Sequence, residues 1–165
     1  MEHSHAASRD KQPEAGFTLI ELMVVVLIIA ILIAVLIPTF IGAKRRAQDR
    51  AVQSSIRNAL TAAKVLYSER GDYTPATVAG LTAAEPGIMF VDASTVPSGQ
   101  NAVSVEPVST SYFRIAGQSR SGNCFFLSDD ESTAGAGVLY AKGSGGSCTA
   151  GAAPAAGDPS WVTAW

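Results

Sequence analysis

One carboxylate stands alone in a long apolar stretch near the start of the chain. Between Phe17 and Ile41 the sequence contains a single charged residue, Glu21. As a helix this stretch would be about 35 Å long, enough to cross a hydrocarbon core of about 30 Å. A charge in such a segment is costly, and no packing reason for it is evident, so Glu21 is predicted to have a function.

The residues around this carboxylate form a distinctive junction, which reads Gly16-Phe17-Thr18-Leu19-Ile20-Glu21 and continues as an unbroken apolar run from Leu22 to Ile37. The junction resembles the processing site of type IV prepilins and the related pseudopilins. The resemblance implies that a prepilin peptidase cuts after Gly16. It further implies that the new N-terminal residue, Phe17, is N-methylated and that Glu21 is used in assembly.

The spacing within the junction also has a physical meaning. Cleavage would create an ammonium group on Phe17, and Glu21 follows one helical turn later on the same face of the helix. The two opposite charges can neutralise each other in low dielectric, within one subunit or between adjacent ones, whereas an unpaired buried charge is far costlier. Pairing between neighbouring subunits would also set their axial register.

Two other interpretations of the segment remain open. One is an ordinary membrane anchor that tolerates Glu21 near the lipid headgroups. The other is a secretory signal peptide, although residues 1–16 are not basic overall and the apolar run exceeds the about 7–15 residues of such peptides. The positive-inside rule would place the basic residues that follow the segment in the cytoplasm. The processing motif places the leader there instead, and we give the motif precedence.

A long helix is predicted to carry this segment. Apolar residues continue at spacings of three and four beyond the membrane stretch, and no Gly or Pro interrupts residues 43–70. The helix is therefore predicted to span Thr18–Arg70, with Gly71 and Pro75 ending it. Pro38 stands where many members of the family have a helix-kinking proline, and a kink is predicted there.

A small head domain is predicted after the helix. Four strand-like runs separated by Pro, Ser and Gly turns predict an antiparallel meander, at residues 102–108, 111–116, 123–128 and 137–142. Residues 77–97 are predicted to form a loop with a short helix near 82–85. The Gly/Ala-rich residues 143–158 are predicted to be irregular, with Trp161 and Trp165 pinning the tail to the sheet rather than forming an exposed adhesive patch.

The predicted fold class is α+β, a pilin-like arrangement of a long kinked N-terminal helix, transmembrane in its first half, packed on a small antiparallel sheet. The 165 residues divide into three expected parts. Residues 1–16 form the cleaved leader, and residues 17–42 form the hydrophobic transmembrane and assembly helix. Residues 43–165 form the globular head, including the second half of the long helix and a disulfide-bounded C-terminal region.

The chain has two cysteines, Cys124 and Cys148. In an exported chain such a pair predicts a disulfide, with two free thiols as the alternative. A bond between them would close a loop of about 25 residues and stabilise the head by about 3 kcal/mol. The placement resembles the C-terminal disulfide-bounded loop of many type IV pilins.

Other chemistry has little support in the sequence. Both histidines lie in the expected leader, and no phosphate-binding or dinucleotide-binding glycine motif is present, so neither an enzyme activity nor a cofactor or metal is expected. The run Asp129-Asp130-Glu131 lacks the spacing of a calcium-binding EF-hand loop, and a solvated turn is preferred there. The net charge of −2 does not favour nucleic-acid binding, although DNA uptake by a filament stays open.

Charge is unevenly divided along the chain. Residues 44–70 contain seven basic and two acidic residues, whereas residues 71–165 contain three basic and eight acidic ones. A basic helix and an acidic head could attract each other between subunits and set their orientation. The alternative is that both are solvated faces.

Together these features predict a structural subunit of a type IV pilus-like filament, or fimbrium. Its expected partners are further copies of itself, the prepilin peptidase and methylase, an assembly platform with its ATPase, and membrane lipid before assembly. It is expected in the cytoplasmic membrane as a single-pass precursor and then in an extracellular pilus serving adhesion or motility. The alternatives are a minor pilin, a type II secretion pseudopilin, and a membrane-tethered binding domain that never polymerises.

Overall fold

The computed structural model of the protein describes residues 16–132, 137–144 and 146–165. The predicted leader, apart from Gly16, lies outside the described residues. The described chain divides into two compact units, one that ends at Phe40 and one that spans Ile41–Trp165. A single helix, α1 (Leu19–Arg70), contributes to both units.

The bounds of α1 confirm the predicted helix to within one residue. Gly71 follows with a φ of +77°, a left-handed conformation that glycine adopts without steric penalty, and its N–H donates to the carbonyl of Tyr67 at 2.6 Å. Pro75 then lies in the turn beyond. The helix therefore stops where its last carbonyl groups are satisfied and where the next proline prevents its continuation.

The head contains a five-stranded sheet whose strands lie side by side in the order of the sequence. Its elements after α1 are α2 (Val78–Ala84), β1 (Met89–Val91), β2 (Ala102–Pro107), β3 (Tyr112–Gln118), β4 (Asn123–Asp130) and β5 (Gly137–Ser144). Strands β2 to β5 form the predicted antiparallel meander. Strand β1 pairs in parallel with β2 and was not predicted, and the short helix α2 starts earlier than expected.

The second half of α1 packs on one face of this sheet. The buried side chains alternate along the strands as the two-residue period requires. On the sheet they are Val103, Val105, Phe113, Ile115, Phe125 and Leu127, and on the helix they are Val52, Ile56, Ala59 and Ala63. The structure thus has the predicted α+β architecture of a long helix packed on a mostly antiparallel sheet.

The helix packs directly against the backbone of β3 at Gly117. A Cβ atom at this position would lie 2.6 Å from Cγ1 of Val52 and 3.0 Å from Cδ1 of Ile56. Val52 is β-branched and held in one rotamer within the helix, so it has little room to move aside. Glycine is therefore required here by packing, because the helix lies directly on the backbone of the strand.

Gly117→Ala should lower the free energy of unfolding of the head by about 1–3 kcal/mol, because the added methyl group overpacks the helix–sheet interface. The measurement is urea denaturation of the detergent-solubilised chain, followed by tryptophan fluorescence. Gly146→Ala is the matched control, since a Cβ at Gly146 meets no heavy atom of the described residues within 4 Å, and it should change stability by less than about 0.5 kcal/mol. Equal effects of the two substitutions would contradict the close-packing assignment.

Residues 148–161 of the tail cover the other face of the sheet, whereas Trp165 packs on the face that carries α1. Cys148, Ala150, Ala153 and Trp161 form a second buried cluster with sheet residues that include Phe126. Val162 pairs with Tyr140 of β5, and the indole Nε1–H of Trp165 donates to the carbonyl of Ala141 at 3.2 Å. The prediction that the tryptophans pin the tail to the sheet is confirmed. The segment predicted to be irregular, residues 143–158, begins inside β5 and contains a 3₁₀ turn (Ala150–Ala152).

Candidate functional site

The predicted junction lies just before the start of α1. Gly16, Phe17 and Thr18 are not helical, and α1 begins at Leu19. All three residues are exposed, with 93% of the Phe17 surface accessible. A Cβ built on Gly16 would meet no heavy atom of the described residues within 4 Å. The Gly16–Phe17 peptide bond therefore belongs to open, non-helical backbone.

Glu21 folds back onto the residue that precedes the helix. One of its carboxylate oxygens, Oε2, accepts a hydrogen bond from the backbone N–H of Thr18 at 2.9 Å and another from the Thr18 hydroxyl at 2.8 Å. In return, the N–H of Glu21 donates to Oγ1 of Thr18 at 3.2 Å. This reciprocal arrangement is a capping box, in which Thr18 is the N-cap and Glu21 the third helical residue.

The capping box corrects the sequence-based view that Glu21 lacks a local structural reason. Thr18 was not identified as a functional residue, although its spacing to Glu21 has the Ser/Thr-x-x-Glu pattern of a capping box. The box satisfies backbone donors that have no partner inside the helix, and it fixes where the helix begins. The consequence is that the Gly16–Phe17 bond stays outside the helical hydrogen-bond ladder, in the kind of exposed segment that proteases cut.

The carboxylate of Glu21 keeps part of its bonding capacity. Its second oxygen, Oε1, accepts no hydrogen bond from the described residues, and no Lys or Arg among them pairs with it. In the uncut chain the nitrogen of Phe17 is an amide and carries no charge. Breaking the Gly16–Phe17 bond would turn this nitrogen into a positively charged group close to Glu21.

The helix that follows the junction is apolar on every side. Side chains from Leu22 to Ile37 are exposed all around it, and α1 is the one helix among the described residues that is long and apolar enough to cross a membrane. A helix that is hydrophobic all round needs lipid or other helices as its surroundings. Pro38 lies inside α1 and, having no N–H, leaves the carbonyl of Ala34 without its usual helical donor. The kink itself stays a prediction.

The two cysteines form a disulfide in the head. It joins Cys124 of β4 to Cys148 of the tail, with a Cα–Cα distance of 5.2 Å, and both residues are buried. The bond ties the tail to the outer face of the sheet next to Phe126, where the second buried cluster lies. It thus lies in the head, on a separate unit from the junction.

The acidic run at Asp129-Asp130-Glu131 is not the solvated turn that was predicted. Asp129 lies near the end of β4 and is fully buried. The hydroxyl of Tyr73 donates to its Oδ2, and Nζ of Lys64 lies 3.1 Å from the same oxygen and 2.6 Å from Oε1 of Glu131. The prediction was wrong because the burial and the positive charge come from residues far away in the sequence. Within the described part of the chain, no group of three or more His, Cys, Asp or Glu side chains is arranged to hold a metal ion.

The surroundings of Asp129 shift two pKa values in the same direction. Burial first, and then the hydrogen bond to Asp129, raise the pKa of Tyr73 above its ordinary value of 10.0. Burial lowers the pKa of Lys64, but hydrogen bonds to Glu131 and Asp129 outweigh it and raise that pKa above 10.5. Groups whose pKa is raised by folding stabilise the protein below their unfolded pKa and lose that contribution as the pH rises.

The head should therefore lose stability above about pH 10, and Tyr73→Phe should weaken this alkaline dependence. At neutral pH, Tyr73→Phe should cost about 1.5–3 kcal/mol, because buried Asp129 loses a hydrogen-bond donor. The measurement is urea denaturation at a series of pH values. Tyr112→Phe is the control, since the Tyr112 hydroxyl finds no hydrogen-bond partner among the described residues. The same neutral-pH loss in both variants would contradict the role assigned to the Tyr73–Asp129 bond.

Part of the basic helix interacts with the head of the same chain. Lys64 pairs with Asp129 and Glu131, and the guanidinium of Arg57 lies 5.0 Å from the ring centre of Trp165. For Lys64 this pairing within one chain is neither of the predicted alternatives, pairing between subunits or a solvated face, whereas Arg57 stays exposed to solvent. The contacts of Lys64 and Arg57 leave the division between a basic second half of α1 and an acidic head unchanged.

Comparison with known proteins gives one match. A family model described as the prokaryotic N-terminal methylation motif matches residues 11–37. The matched segment contains the junction at Gly16, the capping box and the first part of the apolar helix, and it ends just before Pro38. No curated protein and no solved structure matches the chain.

Proposed function

We propose that this chain, which its N-terminal methylation motif marks as a type IV pilin-like or pseudopilin-like precursor, is a structural subunit of a type IV pilus-like filament. One observation carries the proposal: the motif falls on an exposed, non-helical Gly16–Phe17 bond at the head of a membrane-length apolar helix. The motif points to a structural subunit rather than to an enzyme, and it implies processing by a prepilin peptidase and assembly with pilus machinery.

The first step of the proposed function is cleavage after Gly16, which removes residues 1–16. The capping box supports this step, because it starts the helix at Leu19 and leaves the bond to be cut in open backbone. The small residue at Gly16 lets a peptidase approach the backbone closely. The same peptidase would then methylate the new N-terminal nitrogen of Phe17.

The second step is charge pairing at Glu21. Cleavage turns the amide nitrogen of Phe17 into an ammonium group, one helical turn from a carboxylate whose Oε1 is not engaged by the described residues. The ammonium of the same subunit or of a neighbour can bind this oxygen while Oε2 stays bonded to Thr18. In an apolar interior such pairing strongly favours the correct register, because an unpaired charge there is far costlier than a paired one.

The third step exchanges lipid for neighbouring helices. The apolar helix and the motif suit anchoring in the inner membrane before assembly. On assembly the exposed Leu, Ile and Val side chains leave the lipid and pack against the same segment of other subunits. Lipid tails and apolar side chains are similar surroundings, so packing and charge pairing, with an assembly platform and its ATPase, must drive this exchange.

A minor pilin or a type II secretion pseudopilin is the second candidate. The match is confined to residues 11–37, a segment that pilins and pseudopilins share, so this observation favours both equally. The disulfide between Cys124 and Cys148 resembles the one that bounds the C-terminal loop of many pilins, and it therefore favours a pilin over a pseudopilin. A membrane-tethered domain that never polymerises would keep Gly16 and residues before it in the mature protein.

Expression with and without a prepilin peptidase tests the processing step. Intact-mass analysis should show loss of residues 1–16 and the addition of one methyl group only when the peptidase is present. Gly16→Val is the control, because a β-branched side chain at the cleavage site should obstruct the peptidase and leave the chain uncut. A chain that stays full length with an active peptidase, or that is cut at another bond, would contradict the proposal.

A further inference from the structure

A group of basic side chains directly follows the apolar segment. We call Lys44, Arg45, Arg46 and Arg50 the basic collar. All four are exposed, and none forms an ion pair within the part of the chain that the structure describes. The collar begins three residues after Ile41, the last large apolar residue of the segment. It has no role in the steps proposed above.

The one acidic residue in this stretch is turned away from the collar and into the head. The Asp49 carboxylate accepts hydrogen bonds from the Ser121 hydroxyl and, at 2.8 Å, from Nδ2 of Asn123. Burial raises the pKa of Asp49, but hydrogen bonds from Ser119, Ser121 and Asn123 outweigh it and hold the pKa below its ordinary value. Asp49 is therefore charged but engaged by the head, and the collar keeps its positive charge unpaired.

The collar spreads over about two thirds of the helix circumference rather than forming a stripe along it. A helix has 3.6 residues per turn, so consecutive residues point about 100° apart. Lys44, Arg45 and Arg46 therefore face three different sides of α1, and Arg50 adds a charge one turn further along. A stripe would fit the surface of one protein neighbour or one DNA duplex, whereas charges spread this widely fit a layer that extends around the helix.

We propose that the basic collar binds the headgroups of anionic phospholipids in the leaflet on the side of the head, while the subunit is anchored in the membrane. Three observations carry this: the collar follows a lipid-length segment directly, its charge is unpaired, and its charges spread around the helix as a layer of phosphates would require. Basic residues beside a membrane helix attract anionic lipids in this way. The inference rests on membrane insertion of α1, not on cleavage or polymerisation.

Binding at the collar would have a consequence for assembly. A subunit that leaves the membrane gives up its headgroup contacts, so anionic lipid should hold unassembled subunits in place until neighbours are available.

The acidic head of a second copy and a nucleic-acid backbone are the other occupants that the charge of the collar alone would allow. The experiment distinguishes both from lipid.

The test is native mass spectrometry of the full chain in a neutral detergent, titrated with phosphatidylglycerol or with phosphatidylcholine of the same acyl chains. The wild-type chain should bind phosphatidylglycerol at least about tenfold more tightly, and the preference should fall as salt is raised. Arg45→Gln/Arg46→Gln should remove about tenfold of the phosphatidylglycerol affinity and leave that for phosphatidylcholine unchanged. Arg57→Gln/Arg70→Gln removes the same charge at exposed sites further along α1 and should keep the preference.

Each contrary result has a definite meaning. The proposal would be overturned if the wild-type chain bound the two lipids with equal affinity. It would also be overturned if the two double variants both kept the preference for phosphatidylglycerol or both lost it. A short DNA duplex is titrated in parallel, and duplex binding that is tighter than lipid binding and depends on the collar would assign the collar to nucleic acid instead. Because neither cleavage nor filaments enter the measurement, its failure would leave the proposed function standing.

Discussion

Filament assembly should be lost in Glu21→Ala, while cleavage after Gly16 should remain largely intact. The scissile bond and its glycine are unchanged, so the peptidase still has its substrate. Assembly fails because the ammonium of Phe17 on an incoming subunit no longer finds a carboxylate at the buried position. The measurement compares the amount of processed subunit in membranes with the amount in filaments sheared from cells that contain the native machinery.

Two further variants separate the charge of Glu21 from its part in the capping box. Glu21→Gln removes the charge but keeps a side chain that can serve in the box, and it should fail in assembly like Glu21→Ala. Thr18→Val removes the N-cap oxygen but leaves the carboxylate, and it should assemble better than either Glu21 variant. Normal filament yield from Glu21→Ala would show that the carboxylate is dispensable, and normal yield from Glu21→Gln alone would assign its role to the helix start.

The head should lose about 3 kcal/mol of stability in Cys148→Ser, the largest stability effect that we expect. The disulfide closes a loop with a sequence separation of 24 and ties the tail to β4. Without it the tail is still held by the hydrogen bond from the N–H of Ala150 to Oγ of Ser104 at 2.9 Å and by the pairing of Tyr140 with Val162. The tail should therefore open at lower denaturant concentration than the sheet.

Urea denaturation followed by tryptophan fluorescence measures this effect, because Trp161 and Trp165 both lie on the tail. Reduction of the wild-type chain is the control that separates the covalent bond from the buried hydroxyl that serine introduces. Reduced wild-type protein and Cys124→Ser/Cys148→Ser should both show most of the loss seen in Cys148→Ser. An unchanged midpoint after reduction, or free thiols in filament-derived protein, would contradict a structural role for the bond.

Local sequence signals predicted the elements that depend on local chemistry. The end of α1 follows from Gly71 and Pro75, and the four meander strands follow from β-branched and aromatic runs between turn residues. Strand β1 was not predicted because Met89–Val91 is only three residues long and lies among loop residues. Three residues are too few to show the two-residue alternation of a strand. The spacing of Thr18 and Glu21 is a sequence signal for the capping box. The charge of Glu21 was interpreted only as a partner for the ammonium of Phe17.

Features that depend on distant residues could not be predicted in the same way. Three consecutive acidic residues predict a solvated turn, and nothing near Asp129 in the sequence indicates that Tyr73 and Lys64 will surround it. The requirement for glycine at position 117 likewise exists only because Val52 lies across from it in the folded head. These contacts depend on the fold as a whole.

The measurement that tests the central claim most directly is the N-terminus of the chain in extracellular filaments. Filaments sheared from cells with the native machinery should consist of subunits that begin with N-methylated Phe17 and contain a Cys124–Cys148 bond. Intact-mass and N-terminal analysis of that material decides the question. Filaments built from uncut chains, or a fully processed chain that stays in the membrane when the assembly machinery is active, would contradict the account.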